Sequence, residues 1–245
     1  MLRLWDVASG QEIQKFEGHT EGVTACALSA NGRRVLSASN DRTLRLWDAA
    51  SGKEVRRFKG HKHLYGCALS ADGSRVLSAS ADRTVRLWDV ASGQEIHRFD
   101  RHWNSVTACA LSADGTRALS AGLDWTVRLW DGESGRQLHC LEHKGPVYAC
   151  ALSADGSRAV SVPEDGTVRL WSMESGEELT NWHIEYWPRC CALSADGRYV
   201  VVGDDYGSFH FLEVVGLPPT SDPHTAPPSM SVPNPGTPTV GYPNT

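Results

Sequence analysis

A chain of 245 residues with 40% hydrophobic and 22% charged side chains has the ordinary make-up of a soluble globular protein. Its net charge of −5 gives no reason to expect a polyanion, so nucleic acid is not an expected partner. No apolar run approaches the ~20 residues of a membrane-spanning helix, so no membrane partner is expected either. The opening MLRLWDVASGQE lacks the layout of a secretory signal.

In chain order, the first predicted element is a partial unit over residues 2–16, opening on LRLWDVASG from Leu2. VTACALS (Val23–Ser29) follows, rich in small and β-forming residues, and runs into Asn31-Gly32, a hairpin signal. RVLSAS (Arg34–Ser39) and TLRLWD (Thr43–Asp48) come next, the latter alternating Leu44, Arg45, Leu46 as a half-buried strand does. After a turn at Ser51-Gly52, EVRRF (Glu54–Phe58) completes four strands, a unit spanning 23–59. The same order recurs near 64–99, 106–141 and 147–182, and a three-strand remainder occupies 189–215. Residues 1–216 thus form one predicted all-β domain. The last segment, 217–245, holds nine of the twelve prolines and one charged residue, Asp222; it is expected to be disordered or polyproline-like.

Three markers keep one period. Tryptophans stand at Trp5, Trp47, Trp88, Trp130 and Trp171, separated by 42, 41, 42 and 41 residues. CALSA recurs from Cys26, Cys67, Cys109, Cys150 and Cys191, and a histidine at His19, His61, His102, His143 and His183. A single small sheet has two apolar faces and cannot bury them alone, so repeated sheets are expected to stack around an axis as a β-propeller. GHTEGVTACALSANGRRVLSASNDRTLRLWD (Gly18–Asp48) resembles a WD repeat, and the resemblance covers about residues 2–215. It implies four-stranded antiparallel blades, four complete and one partial at each end, in a ring of about five to six blades. An incomplete ring exposes strand edges and apolar faces. Either the two ends meet and close it, or the chain is the C-terminal part of a longer protein, the reading that its mid-blade start favours.

Four polar residues recur at fixed offsets: His19, Ser37, Asp41 and Trp47; His61, Ser78, Asp82 and Trp88; His102, Ser120, Asp124 and Trp130; His143, Ser161, Asp165 and Trp171. Ser, His and Asp suggest a hydrolase triad, but that needs one nucleophile on an accessible turn beside an oxyanion hole. Four identical sets, each with a tryptophan, fit a buried hydrogen-bond chain instead, because indole donates, imidazole donates and accepts, and carboxylate accepts. WD repeats resemble this arrangement. In the last repeat an ungapped alignment puts Val202, Tyr206 and Leu212 at the Ser, Asp and Trp places, with only His183 kept, and adds Phe209 and Phe211 as expected of a capping piece.

No metal or other cofactor is expected. Five of the seven cysteines lie one per repeat rather than in C-x₂-C pairs, and the short pair His61 and His63 has no further ligand nearby. Unpaired thiols suggest a reducing compartment, hence a cytoplasmic location. Arg45, Arg86, Arg128 and Arg169 hold one repeated position, a solvated or paired face rather than a clustered basic stripe.

Where the repeats disagree, a binding site is expected. The loop after each His and the turn carrying each Asp open on one face, and there large residues appear irregularly: Arg42, His63, Tyr65, Arg83, Trp103, Trp125, Tyr186 and Trp187. Trp103 and Trp125 share a repeat and centre the predicted patch, with Arg83 and Tyr65 beside them; exposed aromatics and arginine anchor protein interfaces. The alternative is that they pack over the channel or neighbouring loops. The function expected is a non-catalytic scaffold that binds a protein or peptide. One alternative is a sensing domain of a larger signalling kinase or NTPase, by analogy alone. Another is a propeller hydrolase, for which the first strands offer only Thr24, Tyr65, Thr107, Tyr148 and Arg189.

Overall fold

The computed structural model of the protein describes residues 1–216; the predicted proline-rich tail lies outside the described residues. All regular structure in it is strand. A hairpin of β1 (Leu2–Trp5) and β2 (Glu12–Phe16) comes first. The first full blade is β3 (Val23–Leu28), β4 (Arg34–Ser39), β5 (Thr43–Asp48) and β6 (Glu54–Lys59). The second is β7 (Leu64–Leu69), β8 (Arg75–Ser80), β9 (Val85–Asp89) and β10 (Glu95–Phe99). The third is β11 (Val106–Leu111), β12 (Arg117–Gly122), β13 (Thr126–Asp131) and β14 (Gln137–Glu142). The fourth is β15 (Val147–Leu152), β16 (Arg158–Pro163), β17 (Thr167–Ser172) and β18 (Glu178–His183). A three-stranded sheet of β19 (Pro188–Leu193), β20 (Tyr199–Asp204) and β21 (Phe209–Glu213) closes the described part. Each full blade is an antiparallel meander in sequence order.

The blades stack because their two inner strands are apolar on both sides. β4 is buried along nearly its whole length, whereas β3 and the outer β6 are only partly covered. Leu36, Ala38, Leu44, Leu46 and Phe58 of the first blade pack against Leu64, Val76 and Trp88 of the second. Leu77, Leu87 and Phe99 meet Val106, Ala118 and Trp130 in the same way, and Leu119, Leu129 and Leu141 meet Val147, Ala159 and Trp171. The fourth blade lays Val160, Val168, Leu170 and Ile184 on Val200 and Val202. The initial hairpin sits on the first blade's other face, with Phe16 against Val35 and Trp47. First strands neighbour one another from β3 through β7, β11 and β15 to β19.

A backbone ladder also joins the blades, on the turn between first and second strands. Ala30 N–H donates to Ala71 O (3.1 Å), Ala71 to Ala113 (2.9 Å), Ala113 to Ala154 (2.7 Å) and Ala154 to Ala195 (3.0 Å). The repeated Ala of CALSA thus carries a bond that only stacking can satisfy. The last sheet ends this series. Phe209 and Phe211 hold the places of Leu44 and Leu46, yet they are 79% and 70% exposed, so nothing among the described residues covers that face.

Candidate functional site

In the first three blades the loop before the first strand is tied to its sheet by a buried polar chain. In the first blade Trp47 Nε1–H donates to Ser37 Oγ (2.8 Å), and Ser37 meets His19 Nε2 (2.7 Å). His19 Nδ1–H in turn donates to the Asp41 carboxylate (2.7 Å). The second blade repeats this with Trp88, Ser78, His61 and Asp82 at 2.9, 2.8 and 2.9 Å. The third does so with Trp130, Ser120, His102 and Asp124 at 2.9, 2.8 and 2.8 Å. Burial alone would raise the Asp41 carboxyl, but bonds from Thr43 and His19 outweigh it and hold the group far below the usual range; Asp82 behaves alike through His61 and Thr84. Burial lowers the His19 imidazole, against the opposing pull of Asp41. All four serines are fully buried and engaged on both sides, so none can reach a substrate.

The fourth set departs from expectation at Asp165. Ser161 still links Trp171 (2.8 Å) to His143 Nε2 (2.8 Å), but Nδ1 turns to the Leu141 carbonyl (3.2 Å) and Asp165 pairs with Arg169 (2.9 Å). The reason is chain length. Two residues separate Phe16 from His19, Phe58 from His61 and Phe99 from His102, but only one separates Leu141 from His143. Left without a carboxylate, buried, and near the Arg169 charge, His143 has its pKa pushed down to about 4.

A second correction concerns His183. The residue at the structural place of His143 is Ile184, whose N–H bonds Gly166 O (2.8 Å) as His143 N–H bonds Trp125 O (2.9 Å). Ile184 is buried and His183 exposed, so the last sheet keeps no member of the polar set. The repeated arginines are paired: Arg45 with Asp41 and Glu54, Arg86 with Asp82 and Glu95, Arg128 with Asp124, Arg169 with Asp165 and Glu178.

This network sets the rim above it. Asp124 binds the Trp103 N–H (3.2 Å) as well as His102, and Trp125 follows it in the chain. Both indoles therefore hang from one anchored residue, 61% and 48% exposed, although no ring contact joins them. The turn position after each network Asp is left-handed: Arg42 (φ 68°), Arg83 (φ 70°) and Trp125 (φ 67°), with Gly166 (φ 78°) in the fourth blade. A side chain there costs about 1–2 kcal/mol that glycine avoids. His63 and Tyr65 are exposed on the second blade's loop and first strand. Arg42 lines a groove with Arg57 and Lys59.

At the last sheet the structure brings together residues that sequence reasoning separated. Tyr186 meets Tyr206 with ring centroids 4.4 Å apart, and Arg189 grips Asp205 through two bonds of 2.5 and 2.7 Å. The Arg189 guanidinium lies 4.8 Å from the Tyr148 ring centre and 5.9 Å from that of Trp187. A cavity of about 340 Å³ is lined by Glu185, Tyr186, Trp187, Asp205 and Tyr206. Glu185, Asp205 and Tyr206 lie outside the patch that the residue order predicts; their signal in the sequence is an aromatic residue at a network Asp position, preceded by an acid. Among the described residues no group of His, Cys, Asp and Glu is placed to hold a metal ion. The seven cysteines are free; burial raises the Cys67 and Cys109 thiols and pushes Cys150 up to about 12.

Stacked four-stranded meanders, each locked by a Trp–Ser–His chain, define a WD-type propeller architecture. The family model for the WD domain, G-beta repeat, matches residues 10–48, 52–89, 93–131 and 135–172, and the chain belongs to that family. Each match runs from the fourth strand of one sheet to the third strand of the next, as the His-to-Trp network does. The chain is similar to Autophagy-related protein 16 of Arabidopsis thaliana, 42% identical over 40 residues, which is 16% of this chain and 8% of that protein. It is also similar to an uncharacterized WD repeat-containing protein of Schizosaccharomyces pombe, 39% identical over 44 residues, 18% of this chain and 11% of that protein. The chain thus spans about a tenth of the length of these relatives.

Proposed function

We propose that the protein is a non-catalytic platform that binds a protein partner on the rim formed by the post-His loops and the Asp turns, with Trp103 and Trp125 at its centre. The observation that carries this reading is the left-handed trio Arg42, Arg83 and Trp125. Glycine is free to occupy such a turn, as Gly166 does in the fourth blade, and backbone strain retained under a large exposed side chain is a mark of a functional surface. Exposed Trp and Arg on a rigid frame suit a hot spot, since the backbone beneath them is already ordered before docking. WD repeats generally mediate protein–protein contact, which agrees. Free thiols spread through the blades support a reducing, cytoplasmic setting.

The test is quantitative affinity purification with the wild type and the Trp103→Ala, Trp125→Ala double variant, matched for thermal midpoint. Partners held by the wild type are expected to fall by tenfold or more, about 1.4 kcal/mol or above. Equal recovery with both proteins would overturn the assignment.

A further inference from the structure

The cavity at the last sheet stands where the polar network is missing, and its walls have a chemistry of their own. Its two loops match those that His and Asp tie together in the first three blades. Here Ile184 replaces the histidine and Tyr206 the aspartate, so the loops meet through Tyr186 and Tyr206 rather than through an ion–imidazole bond. Trp187 completes an aromatic lining, 58% exposed. Two carboxylates, Glu185 and Asp205, share it. Asp205 is neutralised by Arg189, and among the described residues no cation pairs with Glu185, which leaves the cavity one negative charge. The face of an aromatic ring attracts cations, most strongly for tryptophan. Arg189 already shows this locally, lying over both Tyr148 and Trp187.

We infer that this cavity is a receptor for an alkylammonium group, the side chain of a lysine, plain or methylated, presented by the partner. The aromatic walls supply cation–π attraction, and Glu185 supplies the counter-charge. The inference rests on the platform reading but uses a different pair of loops from Trp103 and Trp125, so the two fail separately.

The experiment titrates the full chain with three small probes, followed by indole fluorescence and by NMR. They are Nα-acetyl-trimethyl-lysine amide, its unmethylated counterpart, and the neutral isostere in which carbon replaces the ammonium nitrogen. Saturable binding of at least one cation, about tenfold tighter than the neutral isostere, is expected. Tyr206→Ala and Glu185→Gln, both at exposed positions, should each weaken it severalfold, while Trp103→Ala with Trp125→Ala leaves it unchanged. Preference for trimethyl-lysine would point to a methylated partner, and equal affinity to an ordinary lysine. Binding of the isostere as tight as that of the cations, no saturation by either cation, or full affinity in Tyr206→Ala would overturn the inference.

Discussion

The third blade and the last sheet use the same strand register and differ almost entirely in what joins their loops. In the third blade His102 and Asp124 are buried and bonded at 2.8 Å, and Trp130 stacks on Phe99 with centroids 4.7 Å apart. In the last sheet the Ser and Trp places hold Val202 and Leu212, the Asp place holds Tyr206, and a solvent-facing cavity opens between the loops. A polar chain that satisfies every buried donor locks a loop and leaves no space for a guest. Removing the chain lets the same two loops present rings and acids outward. Repetition builds the frame, and departure from it opens the cavity.

The largest effect that would sharpen this contrast is loss of a network tryptophan. Trp130→Ala should destabilise by about 3–5 kcal/mol, while Leu212→Ala at the matching place of the last sheet should cost at most about 2 kcal/mol. Chemical denaturation of both variants measures the difference, and equal losses would break the distinction between locked and unlocked sheets.

Acid should act through His143. Its pKa is about 4 in the folded chain against about 6.5 unfolded, so between these values the unfolded chain binds the extra proton. The stability that His143 contributes is fully present above about pH 6.5 and is lost as pH falls toward 4, by up to roughly 3 kcal/mol. His143→Gln can keep both hydrogen bonds without titrating, so its thermal midpoint should fall less than that of the wild type over this window. Parallel falls would remove His143 as the cause.

Replacing a network histidine comes next. His61→Ala or His102→Ala removes one buried bond from the Ser and one from the Asp and should cost about 1–3 kcal/mol. His183→Ala, at an exposed site outside the network, should stay within about 0.5 kcal/mol of wild type. A comparable loss at His183 would restore it to the polar set. The smallest effect carries the opposite sign. Trp125→Gly should relieve the left-handed turn and raise stability by up to about 1 kcal/mol, yet weaken partner capture. Lowered stability would show that the indole packs as structure.

Most of the scaffold was legible because period 2 within strands and a period near 41 between them are both written in residue order. TLRLWD alternates, Asn31-Gly32 turns, and the Trp, Ser, His and Asp offsets announce a donor–acceptor chain. The site was less legible. Trp103 and Trp125 were marked by irregularity, but nothing in the residue order says that both hang from Asp124. Tyr206 read as a lost aspartate, whereas its ring contacts Tyr186 across 20 residues of chain. The aligned histidine at 183 misled because it stands eight residues before Cys191, whereas His19, His102 and His143 stand seven before theirs; Ile184 keeps the seven, and His183 falls on the end of β18.

Residue order by itself determined the all-β repeat, the blade units and the identity of the locking side chains, since these depend on local alternation, turn chemistry and hydrogen-bonding capacity. Only the tertiary structure decided which His finds an Asp, which carboxylate Arg189 neutralises, and where a cavity stays open. Those outcomes turn on gaps of an ångström or two between segments far apart in the chain, and a single residue of loop length is enough to change the partner.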